Sequence, residues 1–272
     1  MPSPKKKYKR ITTNSLLEMK KNKEKIAMLT AYDFTLAKLV DASGVDIILV
    51  GDSASNVVAG HETTLPITLD QMIYHASSVI RGVDRALVLV DLPFGTYQSN
   101  SKIALESAIK IMKQSGAHSV KLEGGSEVRE SMERIIQAGI PVMGHLGLTP
   151  QSIYKFGTYS VRAKNEDEAN KIIDDAKMLE KIGCFGIVLE KIPALLSKKI
   201  AEIVKIPVIG IGAGKDVDGQ VLVLHDMLGM TQDFSPRFLR RYLDLKSEIT
   251  NAIRSYTSDV KLLKFPSDSE QY

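Results

Sequence analysis

The chain has 272 residues, of which 44% are hydrophobic and 25% charged, and its formal net charge is +4. These values are typical of an ordinary globular protein with one large domain and a substantial core. Its one cysteine, Cys184, excludes a disulfide framework and a cysteine-rich zinc site within the chain. Because the sequence has neither an apolar run of roughly 20 residues nor an apolar secretion signal, we expect a cytoplasmic protein without membrane contact.

The positive charge is concentrated at the N-terminus. Residues 1–10 contain no acidic residue and five basic ones, namely Lys5, Lys6, Lys7, Lys9 and Arg10. The rest of the chain is therefore close to neutral, which argues against a nucleic-acid-binding protein. We interpret residues 1–11 as a disordered basic tail, although a tail of this kind could contact RNA or anionic lipid.

After the tail, short β-branched segments alternate with longer helix-like ones. Thr12 could cap a first helix that runs to about Lys21 and closes the bottom of a barrel. The eight segments that we expect to be strands are residues 26–30, 46–51, 86–91, 119–123, 141–145, 186–190, 207–212 and 220–225. The helices that we expect between them are residues 34–43, 69–82, 101–115, 127–138, 167–182 and 194–204.

Glycines and apolar runs indicate how these units assemble. Four glycines stand where a left-handed helix stop is expected, at Gly44, Gly116, Gly139 and Gly183. Residues 47–50 and 87–90 are apolar throughout, which is typical of parallel strands covered by helices on both sides. Eight such units predict an α/β protein with a (β/α)8 TIM barrel, and residues 12–272 are expected to form one catalytic domain with added C-terminal helices.

Several predicted strands end in a charged side chain or a histidine. The carboxyl ends of barrel strands meet at one rim, where barrel enzymes have their active sites. Each residue alone has an ordinary explanation, such as a helix cap, a core histidine or an ion pair with a neighbour. Together they predict a site, because burying so many carboxylates without a counter-ion is costly. In chain order they are Asp52, Ser53, Asp91, Lys121, Glu123, His145 and Glu190.

The donor types in this group favour a hard cation. Asp52, Asp91 and Glu123 offer oxygen ligands, and Mg²⁺ suits such a set while keeping open positions. A bound Mg²⁺ could chelate a 2-oxo acid and make its adjacent C–H acidic. Glu190 lies outside this set and is placed to act as the base. The glycine-rich residues 210–215 fit neither a dinucleotide fingerprint nor a P-loop, so no nucleotide site is predicted there.

The same segments closely resemble the ketopantoate hydroxymethyltransferase family. The longest is Gly144-His145-Leu146-Gly147-Leu148-Thr149-Pro150-Gln151, which is specific to that family. The others are residues 50–53, 64–68, 91–94, 120–125, 188–190 and 209–214, and the resemblance runs from about residue 12 to residue 268. It implies a Mg²⁺-dependent barrel enzyme of pantothenate and coenzyme A biosynthesis. Such an enzyme moves a hydroxymethyl group from 5,10-methylenetetrahydrofolate to 3-methyl-2-oxobutanoate and forms 2-dehydropantoate.

The resemblance also implies roles for individual residues. Glu190 would be the proton acceptor, and His145 would hydrogen-bond near the substrate. The implied metal ligands are Asp52, Asp91 and Glu123. The implied substrate contacts are Asp52, Ser53, Asp91, Lys121 and His145. The family further suggests a ring-shaped homo-oligomer, commonly a decamer.

Two other functions remain open at this point. A Mg²⁺-dependent C–C lyase of the isocitrate lyase and phosphoenolpyruvate mutase type would share the fold and the enolate chemistry. Those lyases use a cysteine in a Lys-Lys-Cys-Gly stretch, whereas Cys184 lies in an apolar setting where a buried structural role is expected. A non-catalytic scaffold or RNA-binding barrel is the third function. A chain of that kind would be expected to lack at least one of the acidic residues above, and all are present.

Overall fold

A computed structural model describes residues 9–231 and 234–272, and within these residues eight strands close into a barrel. All of them are parallel, each pairs with its neighbour in chain order, and the last closes onto the first. They are β1 (Ile26–Thr30), β2 (Ile47–Val50), β3 (Leu87–Asp91), β4 (Ser119–Glu123), β5 (Val142–Gly147), β6 (Gly186–Glu190), β7 (Val208–Ile211) and β8 (Gly219–Leu222). The predicted (β/α)8 barrel is confirmed.

Helices alternate with these strands along the chain. They are α1 (Thr13–Lys21), α2 (Phe34–Ala42), α3 (Ala54–Val57), α4 (Leu69–Gly82), α5 (Ser101–Ser115), α6 (Arg129–Gln137), α7 (Ile153–Phe156), α8 (Glu166–Ile182), α9 (Ala194–Ile203), α10 (Leu224–Met227) and α11 (Leu245–Lys261). The helices α4 and α5 begin and end at the residues predicted from the sequence. The short helices α3 and α7 were not predicted, and they lie in the loops that follow β2 and β5.

Local interactions set the ends of the helices. The Asn100 side chain accepts a hydrogen bond from the Ile103 N–H and caps α5, while Thr68 and Gln71 form a capping box at the start of α4. The four glycines predicted as helix stops all have positive φ, between 78° and 99°. Glycine adopts this conformation without a steric penalty, so these positions end the helices and turn the chain toward the next strand.

The floor of the barrel is apolar. One buried cluster joins α1 to residues of seven strands, namely Leu16, Ile26, Met28, Ile47, Leu49, Leu87, Leu89, Met143, Val188, Ile209 and Val221. Side chains two positions apart on a strand share a face, so Asp91 faces the same interior as Leu87 and Leu89. The charged residues at the strand ends therefore lie above an apolar floor.

Helix α1 closes the amino-terminal end of the barrel, as the sequence predicted. Leu16 is fully buried in the floor cluster. The ammonium of Lys20 donates to the carbonyls of Ala201 and Ile206, at 2.9 Å each, and lies 2.8 Å from Asp218 Oδ2. Ile206 and Asp218 come just before β7 and β8, so these contacts fix α1 at the end of the barrel opposite the predicted site.

The predicted eighth strand, residues 220–225, is wrong at its end. The strand β8 stops at Leu222, where its pairing with Leu29 of β1 ends, and His225 lies in α10. A short apolar run does not by itself distinguish a strand from a helical turn. Here the length of the neighbouring strand decides where pairing stops.

Beyond β8 the chain forms a second compact unit. The first unit extends to Val223 and contains the barrel, and the second runs from Leu224 to Tyr272. The sequence predicted one catalytic domain over residues 12–272, and that domain boundary stays a prediction. Within the second unit, α11 buries none of its side chains. Most of the predicted tail, residues 1–8, lies outside the described residues. No helix in the described ranges is long and apolar enough to cross a membrane.

Candidate active site

The carboxyl-terminal rim of the barrel gathers the residues predicted from the sequence. Strands β3 to β6 each supply at least one of them among their last three residues, and the loop after β2 supplies Asp52 and Ser53. Five of these side chains are almost completely buried, those of Asp52, Asp91, Lys121, Glu123 and His145. Buried charges persist only where they are paired or bind an ion, so the arrangement of these five decides what the rim can do.

Asp91 connects the residues of three neighbouring strands. Its Oδ1 lies 2.9 Å from the Lys121 ammonium, and its Oδ2 accepts a hydrogen bond of 3.0 Å from the Asp52 N–H. The strand register brings about the first contact, because Asp91 on β3 is paired with Lys121 on β4. The Asp91 carboxylate is therefore held by a cation on one side and by the β2 loop on the other.

His145 links the acidic cluster to Glu190. Its Nδ1 is 3.4 Å from Glu123 Oε1 and 3.3 Å from the Lys121 ammonium, and its Nε2 is 3.3 Å from Glu190 Oε2. Glu123 and His145 are register partners on β4 and β5. The imidazole thus lies between the cluster and the predicted base.

The absence of a side chain at Gly147 allows Glu190 to lie within 3.3 Å of His145. It ends β5 with φ of +94°, and a Cβ at this position would lie 2.3 Å from the Glu190 carbonyl oxygen. Any larger residue would push β6 away from β5 at the rim. The glycine therefore helps set the position of Glu190 relative to His145.

Ser53, the remaining predicted residue, lies at the same rim. Its hydroxyl is 2.8 Å from the Tyr32 hydroxyl at the end of β1. A Cβ at Gly51 would lie 2.7 Å from the Ser53 hydroxyl, so the glycine leaves room for that hydroxyl to turn inward. The predicted contact of Ser53 with substrate stays a prediction.

Burial and mutual repulsion shape the acidity of the carboxylates. Burial raises the pKa of Asp52 well above its ordinary value, and the nearby charges of Asp91 and Glu123 raise it further. Burial also raises the pKa of Asp91, although the Lys121 ammonium opposes the shift. The site holds more buried negative charge than one lysine neutralises.

The pKa values of the two basic groups, Lys121 and His145, are also raised, because the neighbouring carboxylates favour their charged forms. Burial lowers the pKa of Lys121, but the charges of Asp91, Glu123 and Asp52 outweigh it, and the pKa rises above its ordinary value. Burial and the Lys121 charge lower the pKa of His145. The neighbouring carboxylates of Glu123 and Glu190 outweigh both and raise it to about 9. The carboxylates of the site thus favour the protonated forms of both side chains.

The chemistry of the donors fits a hard divalent cation. Asp52, Asp91 and Glu123 are all-oxygen donors, and their repulsion would be relieved by a doubly charged ion. Within residues 9–231 and 234–272, no three His, Cys, Asp or Glu side chains are placed to hold a metal as they stand. The three-carboxylate ligand set accordingly stays a prediction.

The sequence did not single out two further residues of the site. Gln151 and Tyr97 are both buried, and both hydrogen-bond to the acidic cluster. Gln151 ends the family-specific block that begins at Gly144, and this position was the available signal. Tyr97 follows β3 in a loop, and its role depends on contacts that no local pattern reveals.

Cys184 lies away from this rim. It is buried and comes two residues before Gly186, the first residue of β6, at the amino-terminal side of the barrel. Burial raises the pKa of its thiol to about 12. A protonated thiol at the opposite end of the barrel cannot act as the cysteine of the C–C lyase considered above.

Solved structures similar to this one confirm the fold. Phosphonopyruvate hydrolase in complex with oxalate and Mg²⁺ aligns with a TM-score of 0.62 and 10% identity, over 96% of this chain and 93% of that chain. A 2,3-dimethylmalate lyase, described as a member of the PEP mutase/isocitrate lyase superfamily, aligns with a TM-score of 0.59 and 13% identity. That alignment covers 96% of this chain and 91% of the lyase.

Sequence relatives are far more similar. A 3-methyl-2-oxobutanoate hydroxymethyltransferase of Flavobacterium johnsoniae is 74% identical over 272 residues, and one of Christiangramia forsetii is 72% identical, each over 100% of both chains. The sequence profile described as ketopantoate hydroxymethyltransferase matches residues 10–268. The chain belongs to the ketopantoate hydroxymethyltransferase family.

Proposed function

We propose that this protein transfers a hydroxymethyl group from 5,10-methylenetetrahydrofolate to 3-methyl-2-oxobutanoate and forms 2-dehydropantoate, a step of pantothenate biosynthesis. The observation that carries the proposal is the placement of Glu190 across His145 from the buried cluster of Asp52, Asp91 and Glu123. With Glu190 as the base and the cluster as the cation site, this placement would support proton removal beside a chelated keto group.

The acidic cluster would bind the metal and, through it, the 2-oxo acid. Asp52, Asp91 and Glu123 would hold Mg²⁺, which supplies Lewis acidity to the carboxylate and keto oxygens of the substrate. The Lys121 ammonium, 2.9 Å from Asp91, would stabilise negative charge that develops on the substrate. Asp52, Ser53, Asp91, Lys121 and His145 are the side chains that we propose to contact the substrate.

Glu190 would remove the proton from C3 of the oxo acid. Its side chain is 15% exposed, more than those of the cluster residues, so it can reach a bound substrate. His145 Nε2 would orient the Glu190 carboxylate. The carbon freed of its proton would form a bond to the methylene carbon of the folate, whose two bonds to the folate nitrogens break. A water molecule would supply the hydroxyl oxygen of the product, and tetrahydrofolate would leave with the remaining protons. We place this reaction in the cytoplasm. We also propose a homo-oligomer, commonly a decamer, because the resemblance implies one.

The direct test is product formation by the purified protein. With MgCl₂, 3-methyl-2-oxobutanoate and 5,10-methylenetetrahydrofolate, mass spectrometry should detect 2-dehydropantoate. Omission of the folate or addition of EDTA should abolish it. Cleavage of a methylisocitrate-like substrate without any dehydropantoate would instead assign the chain to C–C lyase chemistry. Salt-dependent RNA binding lost on deletion of residues 1–10, without metal-dependent activity, would favour the binding protein.

A further inference from the structure

Gln151 lies directly behind the acidic cluster and is 6% exposed. It is in a 3₁₀ turn, Pro150–Ser152, that follows β5. Its side-chain Nε2 donates to Asp52 Oδ2 at 2.8 Å and to the Leu92 carbonyl at 3.0 Å. One of these acceptors belongs to a predicted metal ligand, so the amide acts on the site and not only on the local turn.

The side-chain oxygen of Gln151 also has hydrogen-bond partners for both of its lone pairs. Gln151 Oε1 accepts hydrogen bonds from the Tyr97 hydroxyl at 2.7 Å and from Gln98 Nε2 at 2.9 Å. An amide has two donor hydrogens and one acceptor oxygen with two lone pairs, and here all four capacities have a partner. Reversing the amide would place its oxygen against two acceptors, so the network fixes its orientation.

Glu123 is attached to the same pair of residues at two points. The Gln151 backbone N–H donates to Glu123 Oε2 at 2.9 Å. The Glu123 backbone N–H donates to the Tyr97 hydroxyl at 3.0 Å. The carboxylate of Glu123 and its backbone therefore both depend on Gln151 and Tyr97.

These bonds connect two carboxylates that the strands do not bring into register. Asp52 follows β2 and Glu123 ends β4, with β3 between them. A lysine or arginine could also have bridged the two, but its charge would neutralise the cluster and compete with a cation. A neutral amide holds both carboxylates and leaves their negative charge in place.

We propose that Gln151 is a positioning residue for the metal site, which with Tyr97 sets the separation and orientation of the Asp52 and Glu123 carboxylates. The inference rests on the proposed function in that it takes these carboxylates as Mg²⁺ ligands. Residues that hydrogen-bond to metal ligands typically change metal affinity 10- to 100-fold when they are replaced. Gln151 therefore controls Mg²⁺ affinity without touching the substrate.

The principal variant is Gln151→Met, which is close in shape and carries neither donor, acceptor nor charge. Isothermal titration of the metal-free protein with MgCl₂ should show Mg²⁺ binding weakened by about 10- to 100-fold. In the dehydropantoate assay, the Mg²⁺ concentration for half-maximal rate should rise by a similar factor. Turnover at saturating Mg²⁺ should fall by a smaller factor than the Mg²⁺ affinity does, because the substitution acts first on metal binding and not on proton removal.

Tyr97→Phe is the second variant, since it removes only the hydroxyl that links Gln151 to Glu123. It should weaken Mg²⁺ binding less than Gln151→Met does, and the double variant should be no weaker than Gln151→Met alone. The matched control is Gln71→Met, at an exposed glutamine whose Oε1 accepts from the Thr68 N–H in the α4 capping box. It should leave Mg²⁺ affinity unchanged.

Thermal unfolding without metal separates positioning from simple support of the fold. Unchanged Mg²⁺ affinity in Gln151→Met, with a lowered Tm of the metal-free protein, would overturn the inference, as would a wild type that binds no Mg²⁺. If the wild type binds Mg²⁺ but forms no dehydropantoate, weaker binding by Gln151→Met upholds the inference while the proposed function fails. Should Gln151→Met not fold, the Mg²⁺ affinity of Tyr97→Phe decides.

Discussion

The interior face of the strands carries apolar side chains at the amino-terminal end of the barrel and charged side chains at the carboxyl-terminal end. On β3, Leu87 and Leu89 join the buried floor, while Asp91 on the same face joins the charged rim. The floor buries apolar side chains and contributes to stability. The rim buries carboxylates whose pKa values burial raises, which opposes folding until a cation offsets their charge. On β3, Leu89 of the stabilising apolar floor and Asp91 of the proposed functional site are thus only two positions apart.

Buried carboxylates occur at both ends of the barrel, but they differ in the groups that hydrogen-bond to them. At the amino-terminal end, Asp41 of α2 accepts hydrogen bonds from the backbone N–H groups of Asp84, Arg85 and Ala86, just before β3. At the rim, the Asp52 side chain accepts from the single amide of Gln151 and faces two other acids. A carboxylate satisfied by the backbone supports the fold, and one left among other acids is available for a ligand.

The largest effect is expected at the rim, from Glu190→Gln. Loss of the base should lower turnover by roughly 10²- to 10⁴-fold, with a smaller change in substrate KM, because the amide cannot accept the proton. Steady-state kinetics of dehydropantoate formation measure it. Glu106→Gln, at an exposed position on α5, is the control and should behave as the wild type. Near-normal turnover in Glu190→Gln would remove the proposed base.

In the floor, Leu89→Ala should change stability instead of chemistry. Leu89 is fully buried, and the cavity should lower the free energy of unfolding by about 3 kcal/mol. Urea unfolding measures the loss, and activity of the folded variant at low temperature should be retained. Leu195 is 83% exposed, so Leu195→Ala should cost less than about 0.5 kcal/mol. A Leu89→Ala protein with normal stability and impaired turnover would contradict the claim that the floor serves stability and the rim serves catalysis.

Asp41→Ala tests the carboxylate at the amino-terminal end. It would leave three backbone N–H groups without their acceptor, at a cost of about 2 kcal/mol in the free energy of unfolding. Mg²⁺ affinity should be unaffected. The control is Asp174→Ala, whose carboxylate is 78% exposed, and it should be nearly neutral in urea unfolding. Weaker Mg²⁺ binding in Asp41→Ala would mean that the two ends are coupled.

The smallest effect is expected from Cys184→Ala. Turnover should stay within about twofold of the wild type, because the residue lies away from the rim, and stability should fall by only about 1 kcal/mol. Since its pKa is raised to about 12, the thiol is protonated at neutral pH and should react slowly with iodoacetamide until the protein is unfolded. Loss of turnover would revive the lyase assignment.

The sequence was sufficient for the order of the barrel and for most of its chemistry. Strands β1, β4 and β6 have the predicted bounds, and β4 and β6 each follow a predicted glycine stop, at Gly116 and Gly183. The charged residues were found because each stands at a strand end, and parallel strands all end at one rim. The end of β8 and the short helices α3 and α7 were missed because strand pairing and loop packing decide them.

The residues by themselves determined the fold, the family and which side chains face the rim, since these follow from local patterns repeated along the chain. Only the tertiary structure joined Gln151 and Tyr97 to Asp52 and Glu123. Gln151 and Asp52 are 99 positions apart in the chain. No pattern within a strand or helix encodes a hydrogen bond between loops so distant in sequence, because barrel closure alone brings them together.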